Sequence, residues 1–575
     1  MLEENNGCDE CSYSITEEEL PGEVDGYNCK RPEWKETEYC IWHADVSDKP
    51  LDELKDARAE TGERLDGAII NGVNFENEIS FSDCSFINAQ AVGATFSESV
   101  HQRVDFRNAN LKESDFSSAN LLQADFRDSN LSRSQLSDST LNDTDFRGGN
   151  LEYADISNSN LRRSNLSSLN LSNTDLSGAR LEKANLSNSS LTHRNLSKNN
   201  MAEVDLSGAK LRYTNLTDTN LTGANLSHSN LEDANLHNAD VTQASFSEAT
   251  LSKANCVDTN FEDADLSNVS FTDGDATRSN LKDVNANDSS FKRTIFDACC
   301  FERAKLQRVD FEEAVLKNAN LQSAELEEAE FPFANLTKCN ARNATFKNAN
   351  LENANLGQAD LRGSNLRFSL LYQVILDNSR INNETNFGLK CKYEIDPNTK
   401  IHFEEDVNRL QAAAWTYRQL ESLYSANSLA DQAHQYHIRK EESKRSYYRE
   451  ADNHLKFIIS TINRWLTRHG EGLSNILIAS AIVILGWAII YPFAGGIEGE
   501  DGDIYKLQFC TCFDPETLEI FLHSIYFSIS NFTTLGSNTY TAIGLYPKYL
   551  ASLQALLGTL LVALFIFTLG RNVDR

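Results

Sequence analysis

From Phe106 to Ile381 every fifth residue is a core candidate, 56 positions in succession without a break in register. Only Ile156, Met201, Val241, Cys256, Ala276, Ala286, Ala341 and Ile381 are neither Leu nor Phe. Weaker units extend upstream in the same phase through Phe96, Phe86 and Phe81, with Ala91 and His101 as blemishes. A period of five matches neither a helix, at 3.6, nor a strand, at 2. It fits a square coil in which four units make one turn and every fifth side chain points inward. The residue two before each core position is small, as at Ala109, Ser114, Ala119 and Ala224. The residue just before it is usually Asn or Asp, as at Asn110, Asp115, Asn120 and Asp125. Leu169 and Arg194 occupy the small position and predict local bulges.

Over 81–381 this unit resembles that of the pentapeptide-repeat proteins. The resemblance implies a mainly β fold: a right-handed quadrilateral β-helix with Leu and Phe stacked in the core and the small residue at each corner. About 14 coils at about 4.8 Å each would make a rod about 67 Å long. One coil cannot bury its own core side chains, so stability must come from stacked neighbours. Each buried Leu or Phe contributes about 1.5–3 kcal/mol. The solenoid domain is expected over 66–390, capped by the N-terminal segment and by the helix after Lys400.

Lys plus Arg number 53 and Asp plus Glu 84, a net charge of −31. A chain this acidic is not expected to bind nucleic acid, which needs a basic face. The charge favours solubility and suits a salt-rich cytoplasm, where self-repulsion is screened, so a halophilic source is one expectation. Some pentapeptide-repeat proteins resemble duplex DNA in shape and charge and bind DNA-handling enzymes, and the acidic surface leaves that reading open. No nucleophile–base set, phosphate loop or carboxylate pair stands out from the repeat, so no enzymatic activity is expected.

The first 43 residues hold Cys8, Cys11, Cys29, Cys40 and His43. Cys8-x2-Cys11 and Cys40-x2-His43 are spacings at which one turn presents two ligands to a metal. Met1–Glu10 lacks a basic stretch followed by an apolar run, so this region is expected inside the cell, with thiols reduced or metal-bound. A short acidic segment, 1–60, cannot build a core, and a structural zinc would supply its folding energy. The expected ligands are Cys11, Cys29, Cys40 and His43, with Cys8 as the alternative to Cys11. A tail of free thiols is the competing reading.

After the solenoid, 400–470 reads as a helical connector. Strong helix formers run without Pro or Gly from Leu410 through Arg468. His437–Arg449 is basic, and Leu455, Ile458, Ile459, Ile462, Trp465 and Leu466 form an apolar strip. A basic amphipathic helix before a span predicts a segment lying on the membrane lipid, and a soluble helix pair remains the alternative for its first half.

Within 471–575, Ile476–Phe493 and Tyr549–Leu569 are uncharged stretches of 18 and 21 residues. Each suffices for a membrane-spanning helix. Arg464, Arg468, Arg571 and Arg575 flank the pair, while the loop between them is acidic. That asymmetry predicts both termini and the solenoid on the cytoplasmic side of the cell membrane. The segment Ile525–Gly536 and the stretch Leu553–Thr568 resemble the two-helix potassium-channel pore family. The resemblance implies a re-entrant pore helix, a filter at Thr533, Thr534, Leu535, Gly536 and Ser537, a hinge at Gly558, a homo-tetramer, and monovalent cations as the conducted species. The family reads Thr-Val-Gly-Tyr-Gly, and here Ser537 and Asn538 take the last two places. A potassium pore, a non-selective cation pore, a non-conducting pore fold and a plain two-helix anchor all fit this segment. Cys510-x-Cys512 in the acidic loop is open to a disulfide or to free thiols.

The sequence thus predicts a cation channel with a cytoplasmic sensor or docking rod, or a membrane-anchored scaffold whose rod binds a protein partner.

Overall fold

The computed structural model describes residues 11–15, 27–58, 62–402, 404, 406–467, 472–499, 501–507, 515–534 and 539–573. The protein consists of two compact units, Met1–Cys391 and Lys392–Arg575.

The first unit is a β-solenoid. Parallel bridges join residues 20 apart along its length, from Ser85↔Asp105 to Asp360↔Arg380, so four five-residue units make one coil. In most units the core residue's carbonyl accepts from the amide three residues on, as Ala109 donates to Phe106 (3.0 Å). The third residue of that turn has a positive φ, +56° at Asn108 and similar at nearly every equivalent position, including Arg163, Tyr213 and Phe333. This is the type II turn, which needs a left-handed residue there. For a non-glycine residue that conformation costs about 1–2 kcal/mol. Burial of the adjacent Leu or Phe, about 1.5–3 kcal/mol, offsets it. The core side chains are buried throughout.

The Asn/Asp preference also has a local cause. The side chain accepts from the amide two residues on, as in Ser117 N–H to Asp115 (2.8 Å), and fixes the turn. Between coils the same side chains form ladders, as in Asn130 Nδ2 to Asn110 Oδ1 (3.2 Å) and Asn280 Nδ2 to Asn260 Oδ1 (2.9 Å).

The stack begins two coils before the unbroken repeat. Leu65, Ile70 and Phe75 are buried core positions, and their coil bridges the next with an offset of 21, as in Ile69↔Gln90. One residue inserted between Phe75 and Phe81 absorbs the shift. At the two oversized corners the ladder yields: among the described residues the bridges Asn150↔Asn170 and Asp175↔Asn195, next to Leu169 and Arg194, are missing. The Arg194 guanidinium reaches back to the Thr174 carbonyl (3.5 Å), while its Nε is buried without a partner.

His101 fills a core position with no exposure. Its ring stacks on Phe81 (5.6 Å), Nδ1 accepts from the Phe81 amide (3.2 Å), and Nε2 donates to the Phe96 carbonyl (3.2 Å). Burial pushes its pKa down to about 4.

The N-terminal segment pairs β1 (Ser14–Ile15) antiparallel to β2 (Tyr27–Asn28), followed by α1 (Leu51–Asp56). Trp42, fully buried, lies over Phe75 (6.5 Å) and edge-on to Phe81 (6.2 Å), closing the end of the stack. Its carbonyl accepts from the Ile69 amide (2.7 Å).

In the second unit α2 (Lys392–Ile395) precedes a helical hairpin of α3 (Arg409–Ala426) and α4 (Ala430–Glu450), then α5 (His454–Thr467). Leu420 and Tyr424 face Ala433 and Tyr436, and all four are buried. The run of helix formers is therefore not one helix. Ser428 (φ +60°) and Asp452 (φ +51°) end α3 and α4. Around each, two amides return to carbonyls of the last turn: Leu429 to Tyr424 and Ser428 to Ser425, then Asn453 to Tyr448 and Asp452 to Arg449. This termination is usually a glycine's. The basic run thus belongs to α4 of the hairpin and the apolar strip to α5, where Leu455 is 70% and Trp465 59% exposed.

Then come α6 (Leu473–Ala494), a three-stranded antiparallel sheet of β3 (Ile497–Gly499), β4 (Ile504–Tyr505) and β5 (Tyr540–Ala542), α7 (Pro515–Phe532) between β4 and β5, and α8 (Leu545–Val573). Leu473–Ala494 and Leu545–Gly570 are long and apolar enough to cross a membrane. Their exposed residues, including Ile478, Ile482, Leu485, Leu556, Leu560 and Ile566, form a broad apolar surface.

Candidate functional site

Cys11, Cys29, Cys40 and His43 converge and are buried, their ligand atoms within 4.8 Å of one another. Cys40 Sγ lies 3.2 Å and Cys11 Sγ 3.5 Å from His43 Nδ1, and Cys29 Sγ lies 3.7 Å from Cys40 Sγ. Local structure sets each position. The turn that places the His43 amide on the Cys40 carbonyl (3.0 Å) puts both side chains on one side. Amides of Cys11 and Cys29 donate to the carbonyls of Arg31 (2.9 Å) and Tyr13 (3.0 Å), flanking the β1–β2 pair. His43 Nε2 donates to the Asp66 carbonyl (2.9 Å), which turns Nδ1 toward the thiols. Tyr13 stacks on the imidazole (4.0 Å). A Cβ on Gly67 would collide with the Tyr13 hydroxyl, so only glycine fits there. The hydrogen bond shared by Cys29 and Cys40 lowers the Cys29 thiol's pKa and raises that of Cys40. Lys49, lowered to about 8 by burial, ties the cluster's loop to the first coil through the carbonyls of Trp42 (3.2 Å) and Ile69 (2.5 Å). Cys8 lies outside the described residues.

The second candidate site is the α7 excursion. The chain leaves the sheet at β4, runs through the 18 residues of α7, and is back in the same sheet at Tyr540, where β5 pairs with β3. Thr533 and Thr534 extend the C-terminal end of α7, Thr533 donating through N and Oγ1 to the Ile529 carbonyl (both 2.9 Å). Thr534 has φ +54°, which stops the helix. The free carbonyls of the last turn and the negative end of the helix dipole lie at this end of α7. Leu535, Gly536, Ser537 and Asn538 lie outside the described residues, as do Cys510 and Cys512.

A buried polar network fixes α7 between α6 and α8. Tyr491 donates to Gln554 Oε1 (2.6 Å), Gln554 Nε2 to Ser528 Oγ (2.6 Å), and Ser528 Oγ to the Ile484 carbonyl (2.7 Å). Sequence reasoning passed over Gln554. The available signal was a lone amide within the uncharged stretch Tyr549–Leu569, which is costly in lipid unless partnered. Gly558 lies mid-way along the continuous α8, and a Cβ there would collide with the Phe532 carbonyl oxygen.

A family model described as "Pentapeptide repeats (8 copies)" matches successive windows from 79–117 to 342–378, and one described as "Pentapeptide repeat region" matches 99–176. A model described as "Ion channel" matches 478–575. The chain is a pentapeptide-repeat protein with a C-terminal ion-channel domain. Among solved structures, the pentapeptide-repeat region is similar to HetL, a pentapeptide repeat protein involved in heterocyst differentiation regulation from the cyanobacterium Nostoc sp. strain PCC 7120. That match has 23% identity over 33% of this chain and 88% of that one, with a TM-score of 0.24. The plasmid-mediated fluoroquinolone resistance protein QnrB1 matches with 22% identity over 32% of this chain and 87% of that one, TM-score 0.16. A pentapeptide repeat protein of the Arabidopsis thaliana thylakoid lumen matches with 22% identity over 22% and 65% of the two chains, TM-score 0.10. No curated protein matches the chain. The ion-channel match covers α8 and β3–β5, all but the first residues of α6, and the whole α7 excursion between the two apolar helices.

Proposed function

We propose that the protein is a cation channel, assembled as a tetramer in the cell membrane, with a right-handed solenoid on the cytoplasmic side acting as sensor or docking rod. The observation that carries this reading is the excursion of α7 out of one small sheet and back to it, between two helices long enough to span. A plain anchor has no use for it. In this reading α7 is the re-entrant pore helix, and Thr533, Thr534, Leu535, Gly536 and Ser537 line the ion path with their carbonyls. Gly558 serves as the inner-helix hinge, or as the notch that receives the end of α7. The excess of arginine in the sequence flanking the two apolar helices, at 464, 468, 571 and 575, favours both termini inside. The acidic rod suits a salt-rich cytoplasm.

The four N-terminal ligands hold a structural zinc in the same proposal. Tetrahedral zinc, with Zn–S about 2.3 Å and Zn–N about 2.0 Å, separates its ligand atoms by about 3.5–3.8 Å. Three of the Sγ and Nδ1 separations, 3.2, 3.5 and 3.7 Å, lie near that spacing, and all of them lie within 4.8 Å. Three thiols with one imidazole favour zinc over harder ions. All four donors come from protein, so the ion's role is to fasten the cap.

Single-channel recording of the full-length protein, with potassium on one side of a bilayer and sodium on the other, tests the channel. Unitary currents lost on Gly536→Leu are expected, and the reversal potential reports whether Ser537 and Asn538 still select potassium. Silence across voltage, salt and lipid would favour the rival, a membrane-tethered scaffold whose acidic rod binds a protein partner. The replacement of Tyr and Gly by Ser537 and Asn538 is the feature that favours this rival.

A further inference from the structure

The basic run of α4 has no part in the pore or the metal cluster, yet it lines a cavity of about 380 Å³ at the open end of the α3–α4 hairpin. Trp415 and Arg418 reach it from α3, and Lys440, Lys444, Tyr447 and Tyr448 from α4. Spacings of three on one helix and four, seven and eight on the other place these as facing stripes. We propose that this cavity binds a phosphorylated ligand carrying a planar ring, a nucleotide.

Four observations support that class. The volume is that of a small-molecule site. In a chain of net charge −31, three cations converge on a cavity with no carboxylate among its described lining residues. Their present partners leave room for a phosphate. Lys440, 13% exposed, is anchored by Glu421 (2.6 Å), which His437 also holds (2.8 Å), so its ammonium is fixed in place. Lys444 has, among the described residues, only the i,i+3 surface pair with Glu441 (2.9 Å), a weak interaction that a phosphate can replace. Arg418 is exposed at the rim, and a guanidinium grips phosphate through two parallel hydrogen bonds. Finally, the aromatic walls supply ring faces. Trp415 stands on α3, and Tyr447 and Tyr448 on α4 have centroids 5.9 Å apart. A flat base stacks on such faces, whereas a bare phosphate has no use for them. The same phosphate grip would accept a lipid headgroup, and the probes separate the two.

Full-length protein in detergent micelles is titrated calorimetrically with ATP, pyrophosphate and adenosine, and separately with vesicles containing a phosphatidylinositol phosphate. ATP should bind tightest. Arg418→Glu with Lys444→Glu should weaken ATP by more than about 100-fold, the worth of two hydrogen bonds to charged groups. Trp415→Ala should reduce ATP to the affinity of pyrophosphate and leave pyrophosphate unchanged. Arg418→Gln, conservative and at an exposed position, repeats the comparison if the double variant fails to fold. Equal ATP affinity in wild type and charge variants, no preference for ATP over pyrophosphate, or binding confined to the vesicles would each overturn the proposal. Binding is read without current, so the outcome is independent of whether the pore conducts.

Discussion

His101 makes the start of the solenoid sensitive to acid over a range in which carboxylates remain ionised. Its ring is buried and neutral, accepting from the Phe81 amide and donating to the Phe96 carbonyl. Protonation removes the acceptor and buries a charge. The folded pKa is pushed from 6.5 to about 4. An opened coil therefore takes up the proton near pH 6.5 and the closed coil only near 4. Stability is fully present above about 6.5 and declines as pH falls toward 4. The full loss is about 3 kcal/mol, because each tenfold difference in proton affinity between the open and closed coil is worth about 1.4 kcal/mol. A long repeat stack does not unfold in one step, so the loss is local and should be read locally. Hydrogen exchange of peptides spanning 75–106, corrected for intrinsic rates, should show opening becoming more favourable by about 1.4 kcal/mol per pH unit between 6.5 and 4.5. His101→Leu, which restores the consensus core residue, should abolish that slope. Peptides from coils near Leu226, with no core histidine, should show none. An equal slope in wild type and His101→Leu would refute the argument.

Arg194→Ala removes an unpartnered buried Nε and an oversized corner, and should stabilise the coils around it by about 1 kcal/mol, seen as slower exchange over 174–200. Purified protein should contain one zinc per chain by elemental analysis; chelation or Cys29→Ser should abolish it and speed exchange of the first coil, Leu65–Phe81. At Gly558 even a Cβ meets the Phe532 carbonyl, so Gly558→Val should cost about 1–3 kcal/mol of local packing and suppress current in bilayer recordings. Gly486→Ala, with open space at its Cβ, should leave current unchanged.

The solenoid is legible because its period is a local property: each unit repeats the same turn, and the fifth residue is always the one turned inward. Where a residue is inserted the period disappears from the sequence but not from the stack: Leu65, Ile70 and Phe75 fall out of phase with Phe81, so the period alone does not find them, although Ile70 and Phe75 lie inside the expected 66–390. The cluster's ligands can be chosen by spacing, since Cys40 and His43 share one turn. Their orienting partners, the Asp66 carbonyl and the Tyr13 ring, come from elsewhere in the fold and carry no spacing signal. The two helix ends in the connector were hidden for another reason: Ser428 and Asp452 take the left-handed conformation without being glycine. The α7 excursion was suggested by the resemblance of its loop to a channel filter, whereas the network through Gln554 depends on three helices meeting.

These features also make the two ends of the rod chemically unequal. Each coil is held by its neighbours, so a stack opens from its ends rather than from the middle. At the N-terminal end Trp42 closes the first coil, and the Cys/His cluster holds Trp42's loop in place. His101 sits on Phe81, whose edge Trp42 also contacts. In the proposed zinc-bound state, metal loss and acid would therefore act on one contiguous group of aromatic side chains. Loss of the metal would loosen the loop that carries Trp42, and an opened cap would let the first coils fray toward His101. The two perturbations should then reinforce each other. The combined loss of protection over 65–106 at pH 5 with chelator should exceed the sum of the separate losses, while the coils near Leu226 stay closed. Simple additivity would mean that the cap and the His101 coil open independently.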